Sequence, residues 1–209
     1  KSYIRLAKSG KEQPLTTHAD RYAYNRSYSV AAYSKGAVFV SQLGYVIGDD
    51  NLKATLKKYF NDFSFKHPRP IDIIRSAEKV TNLELDWYMV DFAQTTNTID
   101  YGIKSVEEVD GYTNITLERI GRMPMPLDIL VQLADGTNTT YYVPLTLMRY
   151  EKENPYPQLP RTVEKAWDWA YDNYTFTIPL PKKDIKIIAI DPVNAMADID
   201  KSNNVYEGE

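Results

Sequence analysis

The spacing of apolar residues changes near residue 98, and this change constrains the fold more than any other feature. Before it, apolar residues recur every three or four positions, as on one face of an α-helix. After it, segments such as YTNITLER and PLDILVQL alternate apolar and polar residues, which is typical of half-buried β-strands. We therefore predict an α+β chain, with a helical lobe over residues 1–98 and an antiparallel β-sandwich over residues 99–209.

Four amphipathic helices are predicted in the first half. The first runs from Val30 to Ile47 with an apolar face so wide that most of its sides should be covered. Gly48-Asp49-Asp50 ends it and offers an N-cap to a second helix, which carries Leu52, Leu56, Tyr59, Phe60 and Phe63. Residues before proline avoid the helical region, so FKHPRP breaks the pattern and Pro70 begins a third helix. The fourth helix carries Leu85, Tyr88, Met89 and Phe92.

The second half predicts about six or seven short strands, a number typical of a sandwich. One of them would carry Leu127, Ile129, Val131 and Leu133 on a single face. The ADGTN segment that follows is a hairpin signal leading into TTYYVPLTLM. YTFTIPL and IKIIAID predict later strands, and the proline-rich, charged residues 151–165 predict a long loop.

Composition excludes several classes of function. The net charge of −3 gives no basic field for nucleic acid or an anionic membrane. We therefore expect no nucleic-acid partner. No apolar run approaches the roughly 18 residues that a membrane helix requires, so we also expect no membrane span. Cysteine is absent, which excludes disulfides and a cysteine nucleophile and leaves the compartment open; an extracytoplasmic location is the favoured expectation.

Tyr33 stands at the head of the first long helix, in the stretch SVAAYSKGAVFVSQLGYVIGDDNLKATLKKYF. From spacing alone, the better interpretation is a core aromatic whose hydroxyl bonds a carbonyl, because aromatic residues at helical spacing usually pack. The other interpretation is a functional group. A phenol stays protonated at neutral pH and can donate a hydrogen bond to a reacting atom.

The segment YSKGAVFVSQLGYVIGDDNLKATLKKYFNDFSF, followed by RPIDIIRSAEKVTNLELDWYMVDF, resembles the zinc aminopeptidases of the aminopeptidase N-like (gluzincin) family. The similarity spans most of the chain from about Tyr24. It implies that residues 1–98 are the C-terminal end of a thermolysin-like catalytic domain, and that DYGI and IAIDPVNAMADIDKSNN are the first and last strands of the following sandwich. In this family, the tyrosine at the position of Tyr33 donates a hydrogen bond to the oxyanion of the tetrahedral intermediate, so the resemblance implies that Tyr33 is catalytic.

The family's zinc motif, H-E-x-x-H, is absent from this sequence, and neither His18 nor His67 lies in such a motif. We therefore expect zinc in the parent protein and none in this chain, which should be inactive alone. A chain that begins at Lys1 is expected to be an excised piece of that parent. The expected partners are a peptide substrate of the parent, the missing N-terminal part of the catalytic domain, and a second copy bound through an exposed helical face.

A rival interpretation is a non-catalytic module whose sandwich binds a peptide, glycan or protein. It rests on an aromatic cluster in AWDWAYDNYTF, namely Trp167, Trp169, Tyr171 and Tyr174. Two segments have part of the pattern of a metal site. His18 near Asp20 lacks the further ligands that a metal needs. DIDKSNN, from Asp198, lacks the glycine and the distal glutamate of a calcium loop, so a polar turn closing the last strand is favoured.

Overall fold

The computed structural model describes residues 1–208, and the chain forms two compact units. The first comprises Lys1–Thr98 and Leu147–Glu153, and the second comprises Ile99–Thr146 and the described residues from Asn154 onward. The first is helical and the second is built of β-sheets, so the predicted α+β class is confirmed. The last residue of the predicted sandwich range, Glu209, lies outside the described residues.

The segment Leu147–Glu153 belongs to the helical unit although its position in the chain falls inside the range predicted as sandwich. Its backbone and a buried lysine explain the placement. Met148 O accepts a hydrogen bond from Glu84 N at 3.2 Å. Lys152 Nζ donates to Tyr45 O at 3.0 Å and lies 4.0 Å from the centroid of the Tyr45 ring, so this segment is held against the helices.

The first unit contains six α-helices and two π-helical segments in the described chain. The α-helices are α1 Ser2–Ala7, α2 Asn25–Ser29, α3 Gly36–Ile47, α4 Asp49–Phe63, α5 Pro70–Thr81 and α6 Asp86–Met89. The π segments are Val30–Lys35, which joins α2 to α3, and Val90–Gln94, which follows α6. The four predicted helices correspond to α3–α6, but the α-helical part of the first begins at Gly36 rather than at Val30.

Local signals explain where these helices begin and end. Gly48 ends α3 with φ of 89°, a backbone conformation that residues with a Cβ rarely adopt. Pro70 occupies the first turn of α5, where its missing N–H costs nothing. Arg69 N donates to the Asp72 carboxylate at 2.7 Å and completes that N-terminus. Asn82 ends α5 in the left-handed conformation of an αL cap.

The core of the first unit is aromatic where α3 meets the segment that follows α6. The Phe39 ring lies 5.2 Å from that of Tyr88 and 5.7 Å from that of Phe92, measured between centroids. Tyr88 is fully buried, and its hydroxyl donates to Phe39 O at 2.6 Å. Leu43, Val46, Ile47, Ile74, Ala77 and Leu85 complete this core. Burying each larger side chain contributes about 1.5–3 kcal/mol.

The second unit contains two sheets. Its strands are β1 Tyr101–Val109, β2 Tyr112–Arg119, β3 Leu127–Leu133, β4 Asn138–Val143, β5 Arg161–Val163, β6 Asn173–Ile178, β7 Ile185–Ile190 and β8 Val205–Glu207. One sheet has the order β1-β2-β6 and the other β5-β4-β3-β7-β8. All pairs are antiparallel except β4 with β5, which departs from the predicted antiparallel pattern. The connection between those two strands is long enough for a parallel return.

The two sheets enclose a shared core. Ile115 and Leu117 of β2 and Leu127, Ile129 and Val131 of β3 are fully buried. The rings of Tyr141 in β4 and Phe176 in β6 lie 5.2 Å apart, which joins the sheets face to face. The predicted hairpin after β3 is confirmed: Asp135 Oδ1 accepts a hydrogen bond from Thr137 N at 2.8 Å, and Gly136 has φ of 87°.

Candidate functional site

Tyr33 lies in the π-helical segment Val30–Lys35 and is 80% exposed. Ala31 and Lys35, four residues apart, are buried and mark the interior side of the segment. Tyr33 lies between them in sequence and on the opposite, exposed side. The interpretation of Tyr33 as a core aromatic is therefore wrong. π-helical turns are rare and often occur at functional sites.

A buried ion pair holds this segment from the inside. Lys35 Nζ lies 2.7 Å from Glu12 Oε1, and the exposed fractions of the two side chains are 0% and 4%. The same ammonium donates to Thr95 O at 3.2 Å and lies 5.4 Å from the centroid of the Phe92 ring. Lys35 is thus bonded to two separate parts of the first unit, and this fixes the helical turn that carries Tyr33.

The electrostatics of Glu12 follow from its burial. Removal from water raises the pKa of the Glu12 carboxyl above its usual range, while the Lys35 ammonium beside it acts in the opposite direction. A buried pair of this kind adds little net stability, but removal of one partner is costly. We infer that the pair specifies the position of the π segment more than it strengthens the fold.

Two more tyrosines are exposed on the segment before Tyr33. Tyr24 and Tyr28 both face solvent, and the Tyr28 ring packs edge-on against Tyr22 with centroids 5.5 Å apart. Tyr28 precedes Tyr33 by five residues, which is the hydrogen-bond spacing of a π-helix. Three exposed tyrosines, Tyr24, Tyr28 and Tyr33, therefore lie within ten residues of one another, and the sequence pattern pointed only to Tyr33.

Neither histidine belongs to a metal site in the described residues. Both His18 and His67 are exposed, and His18 Nδ1 accepts a hydrogen bond from Asp20 N at 3.3 Å, as in a local turn. Within residues 1–208 no group of three or more His, Cys, Asp or Glu side chains could hold a metal ion.

The DIDKSNN segment forms a polar turn in the second unit. Asp198 is fully buried, and its carboxylate accepts hydrogen bonds from Tyr101 N at 3.0 Å and Asp200 N at 2.8 Å. Burial raises the pKa of Asp198 to about 6, although these hydrogen bonds favour its charged form. Asn203 Nδ2 donates to Asp100 Oδ1 at 3.0 Å. The carboxylates thus bind backbone and amide groups, as expected for a turn beside the last strand.

The aromatic cluster near residue 170 is divided between core and surface. Trp167 is buried, stacks on Tyr174 at 5.3 Å and meets Tyr101 edge-on at 5.6 Å. Trp169 and Tyr171 are 54% and 67% exposed. Trp167 and Tyr174 therefore pack in the sandwich core, whereas Trp169 and Tyr171 lie on the surface.

Within the described chain, no helix combines the length and the apolar character needed to cross a membrane. Comparison with family models gives one match, to the peptidase family M1 domain over residues 3–92. Residues 3–92 are thus similar to this peptidase family. The relationship to a C-terminal part of an aminopeptidase, predicted from YSKG and the helices that follow it, is thereby confirmed. The M1 region includes Tyr33, the π segment and the Glu12–Lys35 pair.

Solved structures extend the likeness to the second unit. The crystal structure of Legionella pneumophila aminopeptidase A in complex with aspartic acid is similar over 95% of this chain, with a TM-score of 0.52 and 13% sequence identity. At this identity the likeness shows the fold, a helical lobe followed by a β-sandwich. This chain covers 21% of the Legionella chain. No match was found among curated proteins.

Proposed function

We propose that this chain is part of a zinc-dependent aminopeptidase that hydrolyses N-terminal peptide bonds, and that Tyr33 stabilises the oxyanion. The observation that carries the proposal is the position of Tyr33. It lies inside the M1 region, on a π-helical turn, with its side chain facing solvent and the turn held by a buried ion pair.

The chemistry assigned to Tyr33 is hydrogen-bond donation. When water attacks a peptide carbonyl, negative charge develops on the carbonyl oxygen, and a fixed phenol O–H can donate to it. A preorganised donor of this kind contributes about 3–4 kcal/mol of transition-state stabilisation. The contribution depends on position, and the bonds of Lys35 to Glu12 and Thr95 would keep the helix carrying the phenol from moving.

Zinc and the groups that activate water would come from parts of the protein beyond this chain, since the described residues offer no site for the metal. When bound there, zinc would supply a Lewis acid and an activated water molecule. In this proposal the partners of the chain are the remainder of the catalytic domain and a peptide substrate. The chain alone would be inactive.

A second function is favoured by one observation, the exposed pair Trp169 and Tyr171. Exposed aromatic side chains in a loop can stack on a sugar ring or an apolar peptide residue. In this alternative the β-sheet unit is an interaction module that binds a glycan, peptide or protein, and Tyr33 takes no part in function.

The test uses the full-length protein and a pair of otherwise identical peptides, one with a free and one with an acetylated N-terminus. We expect hydrolysis of the first peptide only, loss of hydrolysis with a zinc chelator, and recovery when zinc is added back. Equal cleavage of the two peptides would contradict an aminopeptidase. No hydrolysis of either peptide by the zinc-loaded protein would favour the interaction module.

A further inference from the structure

The first unit contains a cavity of about 440 Å³ between α1, the loop that follows it and α2. Its volume is within the range of small-molecule sites, which is roughly 300–1,000 Å³. It is lined by Ser2, Arg5, Leu6, Ser9, Lys11, Tyr24, Arg26, Ser27 and Val30. None of these residues ligates a metal in the reaction proposed above, and Tyr33 is not among them.

The charge of this cavity is one-sided. Arg5, Lys11 and Arg26 carry three positive charges, and no acidic residue is part of the lining. Among the described residues, none of the three cations has a carboxylate within ion-pair distance. Lys11 Nζ instead lies 5.1 Å from the centroid of the Tyr24 ring. Like charges gathered without a counter-charge repel one another, so an anion bound among them would be stabilised.

The nearest acidic residue in sequence is turned away from the cavity. Glu12 directly follows Lys11, but its side chain is buried and pairs with Lys35. Two features fix the loop in this arrangement. Gly10 has φ of 67°, which allows the sharp turn after α1. Ser27 Oγ donates to Lys11 O at 2.9 Å and ties the loop to α2. The backbone that carries Lys11 is therefore held against α2.

We propose that this cavity binds a small ligand with an oxyanion group, a carboxylate or a phosphate, next to a short apolar portion. Guanidinium groups bind both kinds of oxyanion through paired N–H donors, so Arg5 and Arg26 would take the charged end. The hydroxyls of Ser2 and Tyr24 are further donors in the lining, and Leu6 with Val30 provides the apolar contact. This inference uses residues 2–30 alone and does not depend on peptidase activity.

Isothermal titration of the full chain with three probes tests the proposal. N-acetyl-leucine carries one carboxylate and an apolar side chain, N-acetyl-leucinamide has nearly the same shape without the charge, and inorganic phosphate carries the alternative oxyanion. We expect saturable binding of N-acetyl-leucine, of phosphate, or of both, and at least tenfold weaker binding of the amide. Binding of phosphate alone would assign the ligand to the phosphate class.

The matched variants separate this cavity from the general surface. Arg5→Gln combined with Arg26→Gln should weaken binding at least tenfold, whereas Arg75→Gln, an exposed arginine of α5 outside the cavity, should leave it unchanged. Lys11→Gln gives an independent reading if the double variant does not fold. The proposal is overturned if neither oxyanion binds saturably, or if binding is the same in the wild type and in the cavity variants.

Discussion

Removal of the Lys35 ammonium should destabilise the helical unit sharply. In Lys35→Met the apolar stem is kept and the charge is lost, so Glu12 is left buried without its counter-charge. Removing one partner from a buried ion pair typically costs about 3–5 kcal/mol. Because burial already raises the pKa of Glu12, the orphaned carboxyl can take up a proton, and we expect the lower end of this range, about 3 kcal/mol.

The double variant Glu12→Gln/Lys35→Met is the matched control. It removes both charges, so no buried ion remains without a partner, and much of the lost stability should return. The stability of Glu12→Gln alone should lie between those of the wild type and Lys35→Met, because the Lys35 ammonium keeps Thr95 O as an acceptor. Urea denaturation followed by circular dichroism at 222 nm measures these changes, because all α-helices of the described chain belong to the first unit.

The direction in which stability changes with pH is an independent test of the ion pair. A raised pKa means that the folded state holds the Glu12 proton more tightly, so the associated stability is present at low pH and lost as pH rises. Acid also protonates Glu12 in the wild type and weakens its pair with Lys35. The cost of Lys35→Met should therefore be smaller at pH 4 than at pH 7. The reasoning is refuted if Lys35→Met lies within about 0.5 kcal/mol of wild type at pH 7, a change typical of surface substitutions.

Three further predictions concern the buried polar and aromatic groups. The pKa of Asp198 is raised to about 6, so the free energy of unfolding of the second unit should fall by up to about 3 kcal/mol as pH rises from 4 to 7. In Asp198→Asn this dependence on pH should be weaker, as measured by urea denaturation followed by tryptophan fluorescence. Tyr88→Phe deletes the hydrogen bond to Phe39 O and should cost about 1 kcal/mol at unchanged secondary structure by circular dichroism. Trp167→Ala should cost about 3–5 kcal/mol in denaturation experiments, whereas Trp169→Ala should stay within about 0.5 kcal/mol, and equal losses would contradict the division of the aromatic cluster.

Hydrophobic periodicity was sufficient to predict the α+β class, helices α3–α6 and most strands, because these elements bury one regular face. It failed at the start of α3. The sequence predicted an α-helix from Val30 with Tyr33 at its head, but Tyr33 is exposed and the buried positions there are Ala31, Lys35 and Phe39. The π turn depends on a tertiary contact, the bond of Lys35 to Glu12, and no local pattern encodes it. A lysine spaced by four from apolar neighbours is the one signal that could have revealed the buried face.

Short elements were the other failure. Helices α1 and α2 have six and five residues, and β5 has three, too few for a periodic pattern to be recognised. Three residues also carry too little pattern to predict the parallel pairing of β5 with β4. The cavity between α1 and α2 was not predicted, because Arg5, Lys11 and Arg26 look like ordinary surface charges in the sequence.

The central claim is tested most directly by the kinetics of Tyr33→Phe in the full-length protein, with Tyr112→Phe, an exposed tyrosine of β2, as the control. Loss of a donor that acts on the oxyanion should lower kcat about 100- to 1,000-fold with little change in KM, while Tyr112→Phe stays at wild-type activity. A Tyr33→Phe enzyme with kcat within twofold of wild type would contradict the account.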